Sequence, residues 1–316
     1  MEKITNKHLP QKVKIFIVEG GIGKNILFTS ILKNIKEKVY VMTAYPDIFM
    51  GFENIRPIVY GAELPEDIIF YHYEPYWDTR VFKKQIHLKD SWADGLNKLY
   101  KLNLKASNLP KLNIDKVEQI INDYKSYKTL LEGQDYIILQ ITGQQSPINY
   151  TNQKYMNNPK NYNQSKQLIK LINQKFPKLK ILLYGLKNEV AHLTDDKELK
   201  NLVNLEIPYI IWFMLLKDAK TFIGIDSSLQ HAAAALNKKG IVIWKNTPVE
   251  VIGWDIHINL KSENAGMWRP YVRQVDAVAI RKNENGQLIQ IPKIYNGKEV
   301  EPEKIIKHLE NLIKEV

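Results

Sequence analysis

The 316-residue chain contains no cysteine. Disulfide scaffolds and thiolate-ligated metal centres are therefore excluded, and a reducing compartment fits. No apolar run approaches the roughly 18 residues that a membrane-spanning helix requires. The opening residues, Met1 to Gln11, are too polar for a secretory signal. A cytoplasmic protein is expected, with peripheral attachment at the inner membrane face left open. The chain also lacks a Pro/Ser-rich linker, a repeat with a period of about 20 to 50 residues, and any low-complexity tract.

What is present is enough apolar material, 44% of residues, for two cores, since single cores stop growing near about 250 to 300 residues. The formal charge of +11 favours anionic partners. A solvated, Lys-rich surface explains the charge equally well, because only Arg80 to Lys89 is locally concentrated.

The order of elements is more informative. "KVKIFIV" reads as a strand, a glycine cluster follows, and Ile26, Leu27, Ile31 and Ile35 then recur at helical spacing. Further strands are expected at Val39 to Met42 and Asp67 to His72, and a helix from Asp115 to Gly133. The alternation restarts with "DYIILQITG" and continues through "LKILLYG", "TFIGID" and "GIVIW", with helices between. Strands alternating with helices give parallel sheets covered by helices. We therefore expect an α/β protein of two Rossmann-like, doubly wound domains, residues 1–133 and 134–300, and a final amphipathic helix, 301–316, returning to the first domain.

The loop "VEGGIGKN" suggests a triphosphate cradle, but Val18 stands where the first Walker A glycine belongs and Asn25 where the magnesium-ligating hydroxyl belongs. The spacing of Gly20, Gly21 and Gly23 also fails the dinucleotide fingerprint. What remains is a sharp turn after a strand that turns backbone N–H groups toward an anion or an acceptor, or a turn with no ligand. In the second half, a strand runs into Asp226, and Ser227 with Gln230 has capping-box spacing before an alanine-rich helix. The positive end of that helix is a place for a diphosphate.

Asp226-Ser227-Ser228-Leu229-Gln230-His231-Ala232-Ala233-Ala234 resembles the Asp-(Ser/Thr)-Gly-x-x-His-x-Ala-Ala-Ala signature of glycosyltransferase family 9, the ADP-heptose:heptosyltransferase group. The run from Gly21 to Thr29 resembles the same family's opening loop. The two matches lie at the ends of about 240 residues that otherwise agree only in pattern. The resemblance implies a GT-B architecture, with the nucleotide-sugar held mainly by the second domain through Asp226, Ser227, Ser228 and His231. It also implies a phosphate contact from Lys160, which precedes Asn161 and Tyr162, and a ribose contact from Glu189, four residues after Gly185. Bland alternatives stand beside each: a solvated Lys160, a surface carboxylate at Glu189, a core histidine at His231.

One departure touches the chemistry. The family places an acidic base where this chain has Lys24, followed by Asn25. An inverting transfer needs a group to take the acceptor's proton, so Lys24, Asn25 and above all Glu74, in the aromatic stretch "YHYEPYW", are the catalytic candidates. Asp47, Asp78 and His87 are further replacements. An aromatic cluster that only packs the junction between domains is the other reading of that stretch. The resemblance implies a metal-independent transferase needing no cofactor beyond its nucleoside-diphosphate sugar, acting on a glycan, lipid-linked or other anionic acceptor. An inactive nucleotide-sugar-binding module, an epimerase, or an enzyme whose acceptor is nucleic acid remain as alternatives.

Overall fold

A computed structural model describes residues 13–32, 35–64, 67–118, 123–143, 161–245, 247–263, 265–266, 278–282, 288–292 and 297–314. The first sheet contains β1 (Val13–Val18), β2 (Val39–Thr43), β3 (Ile55–Ile58) and β4 (Ile68–Tyr71), all parallel, in the order β3-β2-β1-β4. Its helices are α1 (Ile22–Phe28), α2 (Thr79–Phe82) and α3 (Leu88–Tyr100), followed by α4 (Ile114–Glu118) and α5 (Asp123–Leu130).

The second sheet holds β5 (Tyr136–Leu139), β6 (Lys180–Leu183), β7 (Leu202–Val203), β8 (Thr221–Ile225), β9 (Ile241–Trp244) and β10 (Ile258–Lys261), again all parallel, in the order β10-β9-β8-β5-β6-β7. Between the strands run α6 (Ser165–Lys175), α7 (Lys187–Thr194), α8 (Tyr209–Asp218), α9 (Ser228–Ala235) and α10 (Val249–Ile252). A hairpin of β11 (Val278–Lys282) and β12 (Leu288–Pro292) precedes the last helix, α11 (Pro302–Lys314). The fold is thus two parallel-sheet α/β units, as the alternating pattern implied.

Burial explains which segments became central strands. Every residue of β5, β8 and β9 is buried, so these read in sequence as continuous apolar runs, the mark of a parallel strand covered on both faces. One face of the second sheet, with Ile137, Leu139, Ile223 and Ile225, packs on Leu168, Ile169 and Ile172 of α6 and on Ile305, Leu309 and Leu312 of α11. The final helix therefore completes the second unit instead of returning to the first, as had been expected. Its apolar stripe fills the space beside α6, and the Tyr162 hydroxyl donates to the carbonyl of Val300 at 2.7 Å to fix the approach.

The opposite face of the second sheet belongs to a cluster that crosses between units. Phe28, Ile31 and Trp92 of the first unit share it with Trp212, Phe213, Leu229, Ala232 and Ala233 of the second. Ala232 and Ala233 are wholly buried; their small side chains let α9 lie against α1. The segment expected to close the first domain also crosses over, since the Tyr124 hydroxyl of α5 donates to Asp218 at the end of α8.

Candidate functional site

In each sheet the connections reverse direction once, between β1 and β4 and between β5 and β8. Open α/β sheets bind ligands beyond the carboxyl ends of their strands at such switch points. Here the two switch points face one another, because the glycine loop after β1 lies against the start of α9. A Cβ added at Gly23 would sit 2.9 Å from His231 Cδ2 and 3.4 Å from Ser228 Cα. Gly20 has φ +98°, a left-handed conformation that glycine adopts without strain. A Cβ at Gly21 would meet nothing within 4 Å, so this side of the loop is open.

The three sequence-derived catalytic candidates separate by role. Asn25 is fully buried and donates to the carbonyls of Gly20 at 3.4 Å and Gly21 at 3.1 Å, while its Oδ1 accepts from Thr43 Oγ1 at 2.5 Å. Its amide holds the loop's shape. Lys24 and Glu74, 50 residues apart, are brought together: Nζ donates to Oε2 at 2.7 Å, with side chains only 8% and 5% exposed. Lys24 Nζ also lies 5.2 Å from the Trp92 ring centroid and 5.8 Å from that of Tyr76. Glu74 Oε1 accepts from the Tyr76 amide at 3.3 Å, capping the short turn Pro75–Trp77. Glu74 is thus one half of an ion pair beside the Trp92 and Tyr76 rings.

The remaining acid and base candidates are committed elsewhere. Asp47 accepts from the Tyr209 hydroxyl across the junction at 3.2 Å. Asp78 is held by Arg80 and Ser91, and the Arg80 guanidinium keeps its carboxyl below the usual range. His87 bonds through Nε2 to the Gly253 carbonyl at 3.1 Å and packs on Trp254 at 4.8 Å between centroids. Burial, helped by Lys89, pushes its pKa down to about 4.

On the second switch point, Asp226 is buried and accepts from Thr247. Ser227 opens α9 in an extended conformation without capping it, and the Ser228 hydroxyl lies 3.1 Å from that of Tyr184. The capping box expected from Ser227 and Gln230 does not form. Ser227 Oγ is taken by Gln140 Nε2 at 2.8 Å, and the Gln230 amide turns to the Ile252 carbonyl at 3.1 Å. The first turn of α9 is thus left without a side-chain cap.

His231 is buried and accepts at Nδ1 from Trp254 Nε1 at 2.9 Å. Its Nε2 lies 3.0 Å from the Gln230 amide nitrogen, on the edge facing Gly23. Glu189 is also buried, which raises its carboxyl above the usual range. Its Oε2 accepts from the Leu186 amide at 3.0 Å and its Oε1 has no partner among the described residues. Lys160 lies outside the described residues. Its neighbours Asn161 and Tyr162 are buried, Asn161 accepting from the Gly143 amide at 2.9 Å.

Sequence reasoning missed four residues of this region. Gln140 and Thr142 sit at the end of β5, and Gln140 Oε1 and Thr142 Oγ1 are buried without partners among the described residues. Two polar residues closing an otherwise apolar strand were the available signal. Trp254, which links His87 to His231, carries no local signal. Lys245 forms a buried pair with Glu299 and donates to the Asn161 carbonyl at 2.5 Å, tying the end of β9 to the approach to α11.

No family model and no curated protein matches the sequence. Solved structures do match. A glycosyl transferase of family 9 from Veillonella parvula superposes with a TM-score of 0.62 at 11% identity, covering 96% of this chain and 98% of that one. E. coli heptosyltransferase WaaC with ADP gives 0.51 at 13%, over 79% and 93%. E. coli ADP-heptose lps heptosyltransferase II gives 0.51 at 12%, over 96% and 99%. The chain has a heptosyltransferase-like GT-B fold.

Proposed function

We propose that the chain is a glycosyltransferase that takes a sugar from a nucleoside-diphosphate sugar, with inversion and without a metal. The observation that carries this reading is the uncapped start of α9, which lies against the glycine loop at Gly23 across two opposed switch points. A diphosphate there would receive first-turn N–H groups and the positive end of the helix. The WaaC structure holds ADP, and the shared fold supports the reading that this chain takes a nucleotide. The orphaned oxygen of Glu189 supplies an acceptor for a ribose hydroxyl.

In the transfer, the acceptor oxygen bonds to the anomeric carbon while the carbon–oxygen bond to the diphosphate breaks, and the electron pair leaves with the phosphate. The acceptor's proton passes to Glu74, and Lys24 holds that carboxylate in place through Oε2. The acceptor belongs to the anionic glycan or lipid-linked class, consistent with the net charge of +11.

Titration calorimetry with ADP, UDP, GDP and CDP, without divalent cations, on the wild type and Ser228→Glu tests the reading. One diphosphate should bind preferentially, and the variant should lose it through charge repulsion. An acidic residue in the first turn favours the helix itself, so that loss would not reflect unfolding. A protein that binds none of the four would refute the proposal. A second reading, a nucleotide-sugar-binding module without turnover, is favoured by one observation, the lysine at the family's acidic position. It requires that binding persist while donor sugar is never released to any acceptor.

A further inference from the structure

Gln140 reaches across the switch point from the end of β5 to the start of α9. Its amide nitrogen lies 2.8 Å from Ser227 Oγ and 3.4 Å from the Thr142 carbonyl. A carbonyl only accepts, so the nitrogen, not the oxygen, must face it. Gln140 therefore donates to Ser227, whose hydroxyl acts there as acceptor and keeps its own proton for another partner. Its oxygen does not serve the helix as well, since Ser227 accepts no capping bond from the first turn. The oxygen of the same Gln140 amide is buried, in a residue 4% exposed, with no partner among the described residues. A buried amide oxygen left unpaired is costly, of the order of a lost hydrogen bond. Thr142 Oγ1 and Glu189 Oε1 carry the same deficit around Gly185, where an added Cβ would sit 3.3 Å from Thr142 Oγ1 and 3.4 Å from Glu189 Oε2.

We infer that Gln140 is a positioning residue for the donor's diphosphate: by donating to Ser227 Oγ it turns the serine into a pure donor toward the phosphate oxygens at the start of α9. The inference rests on the nucleotide-sugar reading above. The orphaned Gln140 oxygen in turn accepts from a hydroxyl of the transferred sugar, which neither the free diphosphate nor the nucleoside carries. With Gln140 removed, the Ser227 hydroxyl is free to turn inward and cap its own helix, as its spacing to the first turn favours. The phosphate then loses a hydrogen bond although no residue touching it has changed.

The test is a double-mutant cycle. The diphosphate that binds the wild type best, among ADP, UDP, GDP and CDP, is titrated into Gln140→Ala, Ser227→Ala and the double variant, alongside the corresponding nucleoside. Each single variant should bind the diphosphate roughly 10- to 150-fold more weakly, as loss of one hydrogen bond to a charged group implies. The double variant should be no weaker than Ser227→Ala, because Gln140 acts through the serine. Nucleoside affinity should stay within about twofold of wild type, which a general loosening of the site would not allow. Gln140→Glu keeps the shape but can only accept from Ser227, and should bind the diphosphate more weakly than Gln140→Ala. Additive losses in the double variant, or parallel losses for the nucleoside, would overturn the positioning role while leaving the nucleotide site intact. If no diphosphate binds the wild type, the underlying reading falls and this one with it.

Discussion

Replacing Lys24 by methionine isolates what the buried pair contributes. At the observed 2.7 Å, an effective dielectric near 20 gives a Coulomb attraction of about 6 kcal/mol. Much of that is offset by desolvation of the two groups, whose side chains are 8% and 5% exposed. Removing one partner leaves the other charge buried and uncompensated, which costs roughly 3 to 5 kcal/mol. The cation's position over Trp92 adds on the order of 1 kcal/mol. Lys24→Met should therefore destabilise the protein by about 4 kcal/mol. The double variant Lys24→Met/Glu74→Met should recover part of the loss, because no charge is stranded, and fall short by about 1 kcal/mol for the lost cap at Tyr76. Urea unfolding followed by tryptophan fluorescence reads all three proteins, Trp92 lying beside the pair. A single-variant cost below about 1 kcal/mol, or a double variant less stable than the single, would refute the account of the pair. Glu74→Gln tests the chemistry, and because it strands the buried Lys24 charge it should also cost roughly 3 to 5 kcal/mol of stability. Turnover should fall by about 100-fold or more with diphosphate affinity unchanged, and activity within a few-fold of wild type would remove Glu74 as the base.

Three further outcomes follow from packing and burial. Gly23→Val would press a branched side chain against His231 and the Ser228 backbone, so it should cost about 1 to 3 kcal/mol and weaken diphosphate binding severalfold. Gly21→Ala, with open space at its Cβ, is the matched control, and equal effects from both in calorimetric titration would contradict the close approach. His87 and His257 each have a pKa pushed by burial from 6.5 to about 4. The unfolded chain binds more protons between those values, so stability is present above about pH 6.5 and declines as pH falls toward 4, by roughly 2 kcal/mol per histidine at pH 5. Unfolding at pH 7 and 5 should show this slope reduced in His87→Gln, and an unchanged slope would exclude His87 as a contributor. Leu309→Ala should cost roughly 2 to 5 kcal/mol, because Leu309 is fully buried against α6 and the second sheet. A cost below about 1 kcal/mol in urea unfolding would mean that the final helix is not part of that core.

The restart of the strand-helix alternation after Gly133 was readable because parallel strands buried on both faces must be apolar throughout, as in β5 and β8. The glycine loop and the Asp226–Ala234 stretch were readable because turn geometry and helix starts are local. Local chemistry did not extend to hydrogen-bond partners: the spacing of Ser227 and Gln230 permits a capping box, yet Gln140, 87 residues from Ser227, takes the serine's hydroxyl.

By itself, the sequence determined two parallel α/β units and the two loops that meet between them, since periodicity and backbone conformation are properties of short segments. The tertiary structure decided the rest. It alone pairs Lys24 with Glu74, routes the final helix onto the second sheet, links His87 to His231 through Trp254, and leaves Gln140, Thr142 and Glu189 with oxygens that no described residue answers. Each of these depends on which distant side chain arrives first at a buried polar group or an uncovered apolar face. Burial makes that choice costly to leave unmet, and only the packed chain brings the competitors together.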